Sequence, residues 1–148
     1  MVRFAHLMQR PFWATSLFGV VRADVLTRTG LMPSNAAGDH VLLAELALHG
    51  RFHAIPHEGI FNRDHPGRTA AKSSIIARAQ QFDPRIGTNP SLLRLRQAAS
   101  YLSVIRRTPL DQPARIRGYL AVSRWLGTRV VERTLMLAAT VGRASTEG

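Results

Sequence analysis

One acidic side chain in this sequence stands where general-base chemistry would need it. Asp39 opens an apolar segment, residues 41–48, whose spacing predicts a short helix that ends at Gly50, a residue suited to a left-handed C-cap. Strand-like residues 51–55 follow directly. A carboxylate at the start of a helix that leads into a strand is placed as α/β enzymes place a base. The alternative is that Asp39 is the N-cap, which contributes about 1 kcal/mol without any chemistry.

A second group of candidate residues lies in a later loop. His65 stands beside a Pro-Gly turn and is flanked by Arg63 and Arg68. A neutral imidazole can ligate a divalent ion, and a protonated one can stabilise phosphate charge. Arginines can pair with phosphate oxygens in forked geometry. The alternative is that all three side chains are simply exposed to water.

Three histidines at steps of four residues do not predict a zinc site. His49, His53 and His57 would align only on a continuous helix, and Gly50 and Pro56 interrupt it. The sequence has no cysteine, and no acidic cluster stands beside these histidines to complete a ligand shell. We therefore expect no structural metal there.

The first half of the chain predicts alternating strands and helices. Residues 16–21 predict a buried strand, and residues 22–30 predict a short helix ended by Gly30. The helix that Asp39 opens, the strand at 51–55 and another short strand from residue 57 to 63 follow. This alternation is typical of a mixed α/β fold.

The second half predicts helices only. A brief helix over 74–81 precedes three longer amphipathic ones, the first through 92–105, the second over about 112–127 and the third over about 128–142. Their predicted core stripes are Leu92, Leu95, Ala99, Leu102 and Ile105, then Ile116, Tyr119, Leu120 and Leu126, then Val131, Leu135, Ala138 and Val141.

Composition bounds the classes of function. The 148 residues, 45% hydrophobic, suffice for one modest core, and the absence of cysteine excludes disulfides, thiolate metal sites and a cysteine nucleophile. Residues 1–71 carry 7 Lys/Arg and 5 Asp/Glu, a net +2, whereas residues 72–148 carry 13 and 4, a net +9. No signal-peptide core is evident, and no apolar run approaches the roughly 18 residues of a membrane span. We therefore expect a cytoplasmic protein, peripheral at the inner face of the membrane if it meets lipid.

Five features in a fixed order resemble the second half of bacterial family 2 glycosyltransferases, which have the GT-A fold. They are a strand ending in Phe18-Gly19-x-x-Arg22, a helix closed near Gly30, a Gly38-Asp39-x-x-Leu-Leu-x-Glu45 helix, a Gly50-Arg51-Phe52-His53 strand, and an Arg63-Asp64-His65-Pro66-Gly67-Arg68 loop. The resemblance implies a partial GT-A-like mixed sheet over residues 1–71, the acceptor side of a catalytic domain. A C-terminal bundle of basic amphipathic helices over 72–148 would follow it.

The same resemblance implies residue roles. Asp39 would be the base in an inverting transfer of a sugar from a nucleotide-sugar donor to a sugar or lipid-linked acceptor. His65, Arg63 and Arg68 would bind donor phosphate or metal. Many members of the family carry two adjacent acids where this chain has Gly38 before Asp39.

The donor-binding half of such an enzyme is absent from this sequence. There is no Asp-x-Asp metal motif and no Gly-rich strand-to-helix turn. Met1 also lies only about a dozen residues ahead of the first family-like strand, too few for a nucleotide-binding domain. We expect the chain to be inactive alone, and we expect Mg²⁺ or Mn²⁺ to be a cofactor of the full-length enzyme only.

The basic C-terminal helices leave three interpretations open. Their arginines can be solvated on faces that pack over a catalytic core. They can rest on an anionic membrane surface, which would suit a lipid-linked acceptor. They can bind nucleic acid, which the sequence pI of about 11.8 allows, but no recognition-helix or zinc-finger pattern supports this. A small basic module without catalysis, binding membrane or nucleic acid, is the alternative to the enzyme.

Overall fold

A computed structural model describes residues 1–9, 14–33, 37–57, 59, 61, 76, 79, 80 and 89–144. Within these residues the regular structure is helical throughout and no strand is formed. The elements are α1 (Val2–Gln9), a 3₁₀ helix (Ala14–Phe18), α2 (Ala23–Leu26), α3 (Gly38–His49), α4 (Pro90–Arg107) and α5 (Gln112–Ala144). Of the brief helix predicted over 74–81, Ile76, Ala79 and Gln80 are described, and they are helical.

The predicted mixed sheet is wrong for the described part of the chain. The 3₁₀ helix occupies the first half of the predicted strand 16–21, and Val20 beyond it is fully exposed. Residues 51–57 form neither helix nor strand and are exposed throughout. A strand is stable only when its backbone groups pair with a neighbour, and none of the described segments supplies one. The GT-A-like architecture is therefore not the fold of these residues.

Helix α3 lies at the centre because it is apolar on every side. Residues 41–47 are all buried, as expected for a helix without a polar face. One side packs into a cluster with Phe4 of α1, and the other side packs, through Leu42, Leu43 and Leu46, against the 3₁₀ helix and α2. Gly50 ends the helix as predicted, but with φ −168°, so its conformation is extended and not left-handed.

An aromatic ladder joins α1, α4 and α5. The rings of Phe4 and Tyr101 meet edge to face with centroids 6.0 Å apart, and those of Tyr101 and Trp125 do so at 5.5 Å. Each such pair contributes about 0.5–1.5 kcal/mol beyond the apolar area that it buries. The core cluster therefore draws on residues from both the first and the second half of the sequence.

Local signals set the bounds of the two long helices. Asn89 is the N-cap of α4, and its Oδ1 accepts a hydrogen bond from the backbone N–H of Ser91 at 3.0 Å. Asp111 acts in the same way before α5, where its Oδ1 accepts from the N–H of Ala114 at 2.8 Å. The predicted break near residue 127 is wrong, because α5 continues through Gly127. A glycine inside a helix costs only about 1 kcal/mol, which tertiary packing outweighs.

Helices α4 and α5 bury only part of the predicted stripes. Helix α4 buries Ala98, Tyr101 and Val104, and α5 buries Val122 and Trp125. Of the predicted stripe residues, Ile105 is buried and Leu102, Tyr119 and Leu126 pack against the core, whereas Leu92, Leu95, Ile116, Leu120 and Val131 are exposed. Each helix carries apolar residues on two sides, and the side with the larger aromatic ring lies inward because it buries more apolar area.

Candidate functional site

Asp39 lies in the first turn of α3. The helix begins at Gly38 with Ala37 as its N-cap, so the interpretation of Asp39 as the N-cap is wrong. Its Oδ1 accepts a hydrogen bond from the backbone N–H of His40 at 2.8 Å, and the side chain is half-buried. This amide is one that the helix itself leaves without a partner. The carboxylate also lies at the positive end of the helix dipole, which favours its negative charge.

The position before Asp39 has no room for a second acid. Gly38 is buried, and a Cβ atom there would lie 2.3 Å from the backbone oxygen of Pro33 and 2.9 Å from Cγ of Met32. Even alanine would require the preceding loop to move. The close approach of residues 32–33 to α3 leaves Asp39 as the acid of this turn.

A buried tyrosine lies within electrostatic reach of Asp39. Burial raises the pKa of Tyr101 to about 12, and the negative charge of Asp39 adds to the rise, whereas a hydrogen bond from Gln97 and the charge of Arg129 oppose it. The amide Nε2 of Gln97 donates to the Tyr101 hydroxyl at 3.1 Å. We call these four residues the Asp39 cluster. The Tyr101 phenol is hydrogen-bonded to the Gln97 amide of its own helix, and the charges of Asp39 on α3 and Arg129 on α5 act on it electrostatically.

The Tyr101 hydroxyl should keep its proton at pH values well above those at which an exposed tyrosine loses it. In a Tyr119→Phe variant, which leaves Tyr101 as the one tyrosine, near-ultraviolet absorbance should report a pKa of about 12. The folded state holds this proton more tightly than the unfolded state does. The resulting stabilisation, about 3 kcal/mol, is therefore complete below about pH 10 and lost as the pH rises through about 12.

Asp39→Asn should lower that pKa, because it removes a negative charge that favours the neutral phenol. An exposed acid elsewhere supplies the control, and Asp24→Asn in α2 should leave the titration unchanged. A pKa near 10 in the folded protein would contradict the burial of Tyr101, and no response to Asp39→Asn would contradict its proximity to the carboxylate.

A second charged cluster lies at the other end of α3. The fully buried Glu45 receives two hydrogen bonds from Arg107 at the end of α4, from Nε to Oε1 at 2.6 Å and from Nη2 to Oε2 at 2.5 Å. The backbone N–H of Gly30 donates to both carboxylate oxygens at 3.2 Å. The bond to Glu45 raises the pKa of Arg107. We call these three residues the Glu45 cluster, and it ties the loop after α2 to α3 and α4.

Gly30 must be glycine for the Glu45 cluster to form. A Cβ atom there would lie 2.4 Å from Cζ of Arg107 and 2.5 Å from its Nη2. The guanidinium cannot give way without leaving the carboxylate that it pairs with. Gly30 was expected to close a helix, but α2 already ends at Leu26 and the residue with positive φ is Leu31, at 57°. The glycine therefore serves close packing.

The role of Glu45 was missed from the sequence, although a signal was present. It is the one acid in the apolar run 41–48, and a charge among buried neighbours requires a partner. The sequence does not say which arginine that partner is, because Arg107 lies 62 positions later in the chain. Only the fold brings the two together.

The remaining predicted residues do not form a site in the described structure. Arg63, His65 and Arg68 lie outside the described residues. His49 is half-buried in the last turn of α3, whereas His53 and His57 are exposed on the segment that follows. Among the described side chains no group of three His, Cys, Asp or Glu residues could hold a metal ion.

The two clusters differ in what they can do chemically. Glu45 is sealed from solvent and both of its oxygens already accept two hydrogen bonds, so its carboxylate has a structural role. Asp39 is only half-buried, and its single hydrogen bond in the described part of the chain engages one oxygen. A carboxylate with a free lone pair and partial access can take a proton. Of the two acids of α3, Asp39 is therefore the one suited to chemistry.

Comparisons with known proteins identify no relative of this chain. No protein-family model, no curated protein and no solved structure matches this chain. A search of the described helices for one long and apolar enough to cross a membrane also finds none.

Proposed function

We propose that this chain supplies the acceptor side of a glycosyltransferase and that Asp39 is its general base. The observation that carries the proposal is the position of Asp39, a single half-buried carboxylate in the first turn of the central helix. Of the five family-like sequence features, the described residues keep the Gly38-Asp39-x-x-Leu-Leu-x-Glu45 helix, and this helix supports the same conclusion. The resemblance implied neighbouring strands over residues 16–62 beside Asp39, and the described residues there form none, so the proposal rests on Asp39 and its helix alone.

In the proposed reaction Asp39 acts as the general base. Its free carboxylate oxygen takes the proton from an acceptor hydroxyl while the hydroxyl oxygen attacks the anomeric carbon of the donor sugar. The bond from that carbon to the nucleoside diphosphate breaks, and the diphosphate leaves with the electron pair. Attack from the face opposite the leaving group inverts the anomeric centre. The protonated Asp39 then releases its proton to solvent.

The donor is bound by residues outside the described structure. We still predict that His65, Arg63 and Arg68 bind the donor phosphate. The Mg²⁺ or Mn²⁺ expected for the full-length enzyme does not fit the described side chains, because they include no group of three ligands. No step of the proposed chemistry is therefore assigned to a metal here.

A binding measurement tests whether this chain lacks the donor-binding part of the enzyme. Calorimetry of this chain with a panel of nucleotide sugars, with Mn²⁺ or Mg²⁺ present, should detect no binding at micromolar concentrations, because a nucleotide requires a dedicated phosphate-binding turn. Transfer of labelled sugar should appear only when the chain is joined to a donor-binding half. Micromolar donor binding by the chain alone would overturn the acceptor-side assignment, and failure of every joined form to transfer sugar would overturn the enzymatic one.

A further inference from the structure

The outward side of α5 carries an apolar stripe. Ile116, Leu120 and Val131 are 56%, 64% and 58% exposed. At 100° per residue they fall within an arc of about 60° on the helix surface, opposite the buried Val122 and Trp125. We propose that this stripe is a docking surface for an anionic lipid bilayer, with α5 lying in the plane of the interface.

Positive charge borders the stripe along one side. Arg117 and Arg124 are exposed, and both lie next to the arc of apolar residues. Residues 112–131 contain four arginines and no acidic residue. The first acid to follow is Glu132, which pairs with Arg129 at 2.9 Å. Such a helix fits an anionic bilayer, because its apolar stripe can insert among the acyl chains while the adjoining arginines contact the negatively charged headgroups.

This charge pattern favours lipid over nucleic acid and over a second copy of the chain. Nucleic acid would bind the arginines but would leave three large aliphatic side chains without a partner, since phosphate contacts supply its affinity. A second copy of α5 would cover the aliphatic side chains. It would also place the bordering arginines of both copies at one interface, with no acid in 112–131 of either copy to neutralise them. Of these three occupants, an anionic bilayer is the one that matches both the aliphatic stripe and the arginines beside it.

The length of α5 suits an interfacial position. Its 33 residues extend about 50 Å at 1.5 Å per residue. This length allows several helical turns to contact a membrane surface at once. Because no described helix is apolar enough to cross a bilayer, the helix would lie on the surface and leave its buried face in the core. This inference concerns a second surface and does not depend on sugar transfer.

Vesicle co-sedimentation tests the proposal. The chain should bind vesicles that contain phosphatidylglycerol and should bind pure phosphatidylcholine vesicles much less. Arg117→Gln with Arg124→Gln should weaken partitioning about thirtyfold. Ile116→Ser with Leu120→Ser should weaken it at least about tenfold. Circular dichroism should show unchanged helix content, because all four side chains are exposed.

Matched variants control for charge and for hydrophobicity. Arg3→Gln with Arg51→Gln removes the same charge from exposed sites elsewhere, and Val20→Ser with Ile55→Ser removes comparable exposed apolar side chains. Both control pairs should keep partitioning within about twofold of the unchanged chain, since neither lies on α5. Equal losses in control and test variants would overturn the proposal. So would absence of vesicle binding, salt-sensitive binding to DNA or RNA only, or an oligomer that Leu120→Ser dissociates.

Discussion

Arg107→Ala should lower the free energy of unfolding by about 3 kcal/mol, the lower end of the range for a buried ion pair, because the guanidinium is 37% exposed and solvent screens it. The substitution removes both side-chain hydrogen bonds from Glu45, whose side chain is fully buried, and leaves only the N–H of Gly30 as a partner. An ionised carboxylate without a counter-charge is costly inside a protein. Since small domains are stable by only about 5–15 kcal/mol, a loss of this size should be evident in urea unfolding followed by circular dichroism.

A neighbouring arginine supplies the control. Arg106 is exposed at the same helix end, and Arg106→Ala should change stability by no more than about 0.5 kcal/mol. Equal losses for the two variants would show that helix-end charge, and not the Glu45 cluster, is responsible. Arg107→Lys should recover little of the stability, because an ammonium cannot reproduce the two-pronged geometry.

Gly30→Ala acts on the same cluster without removing a charge. Its Cβ would displace the guanidinium of Arg107, so we expect a loss of about 1–3 kcal/mol. In the Arg107→Ala background, Gly30→Ala should lower the free energy of unfolding much less, because the guanidinium atoms that its Cβ would clash with are absent. Gly50→Ala is the control, since a Cβ there meets no atom within 4 Å. Additive effects of Gly30→Ala and Arg107→Ala would contradict a shared cause.

The helix that carries both clusters could be predicted because its signals are local. Asp39, the apolar run 41–48 and Gly50 lie within one short stretch, and they predicted the existence of α3 and its end at Gly50, but not the residue at which it begins. Helix α1 was missed, although Phe4 and Met8 stand four residues apart on its buried side. Such spacing over eight residues is weak, and the contacts that stabilise α1 come from α3 and α5.

Strands and helix faces could not be predicted in the same way. The apolar content of 16–21 and 51–55 is strand-like, but strand formation depends on a pairing neighbour that local sequence does not reveal. For α4 and α5 the spacing of apolar residues fits two faces, and the choice between them depends on how Tyr101 meets both Phe4 and Trp125. The Glu45 cluster likewise joins positions far apart in the chain.

Asp39→Asn should reduce the turnover of sugar transfer about 10²- to 10⁴-fold in a polypeptide that joins this chain to a donor-binding half. An amide cannot take the proton of the acceptor hydroxyl, although its oxygen can still accept the hydrogen bond from His40. The folded state should persist, because losing the charge at the helix start costs only about 0.3–1 kcal/mol. Donor affinity should also be unchanged, since Asp39 acts on the acceptor.

Initial-rate kinetics with labelled donor measures this effect. Asp24→Asn is the control, because Asp24 is an exposed acid in the first turn of α2 that pairs with arginines of its own segment, and it should retain full turnover. Asp39→Glu should retain part of the activity if a carboxylate is what the reaction needs. Full turnover by Asp39→Asn would leave Asp39 with only its role at the start of α3. A loss shared equally by Asp24→Asn would point to general charge effects, because the two acids have different partners and lie on different helices.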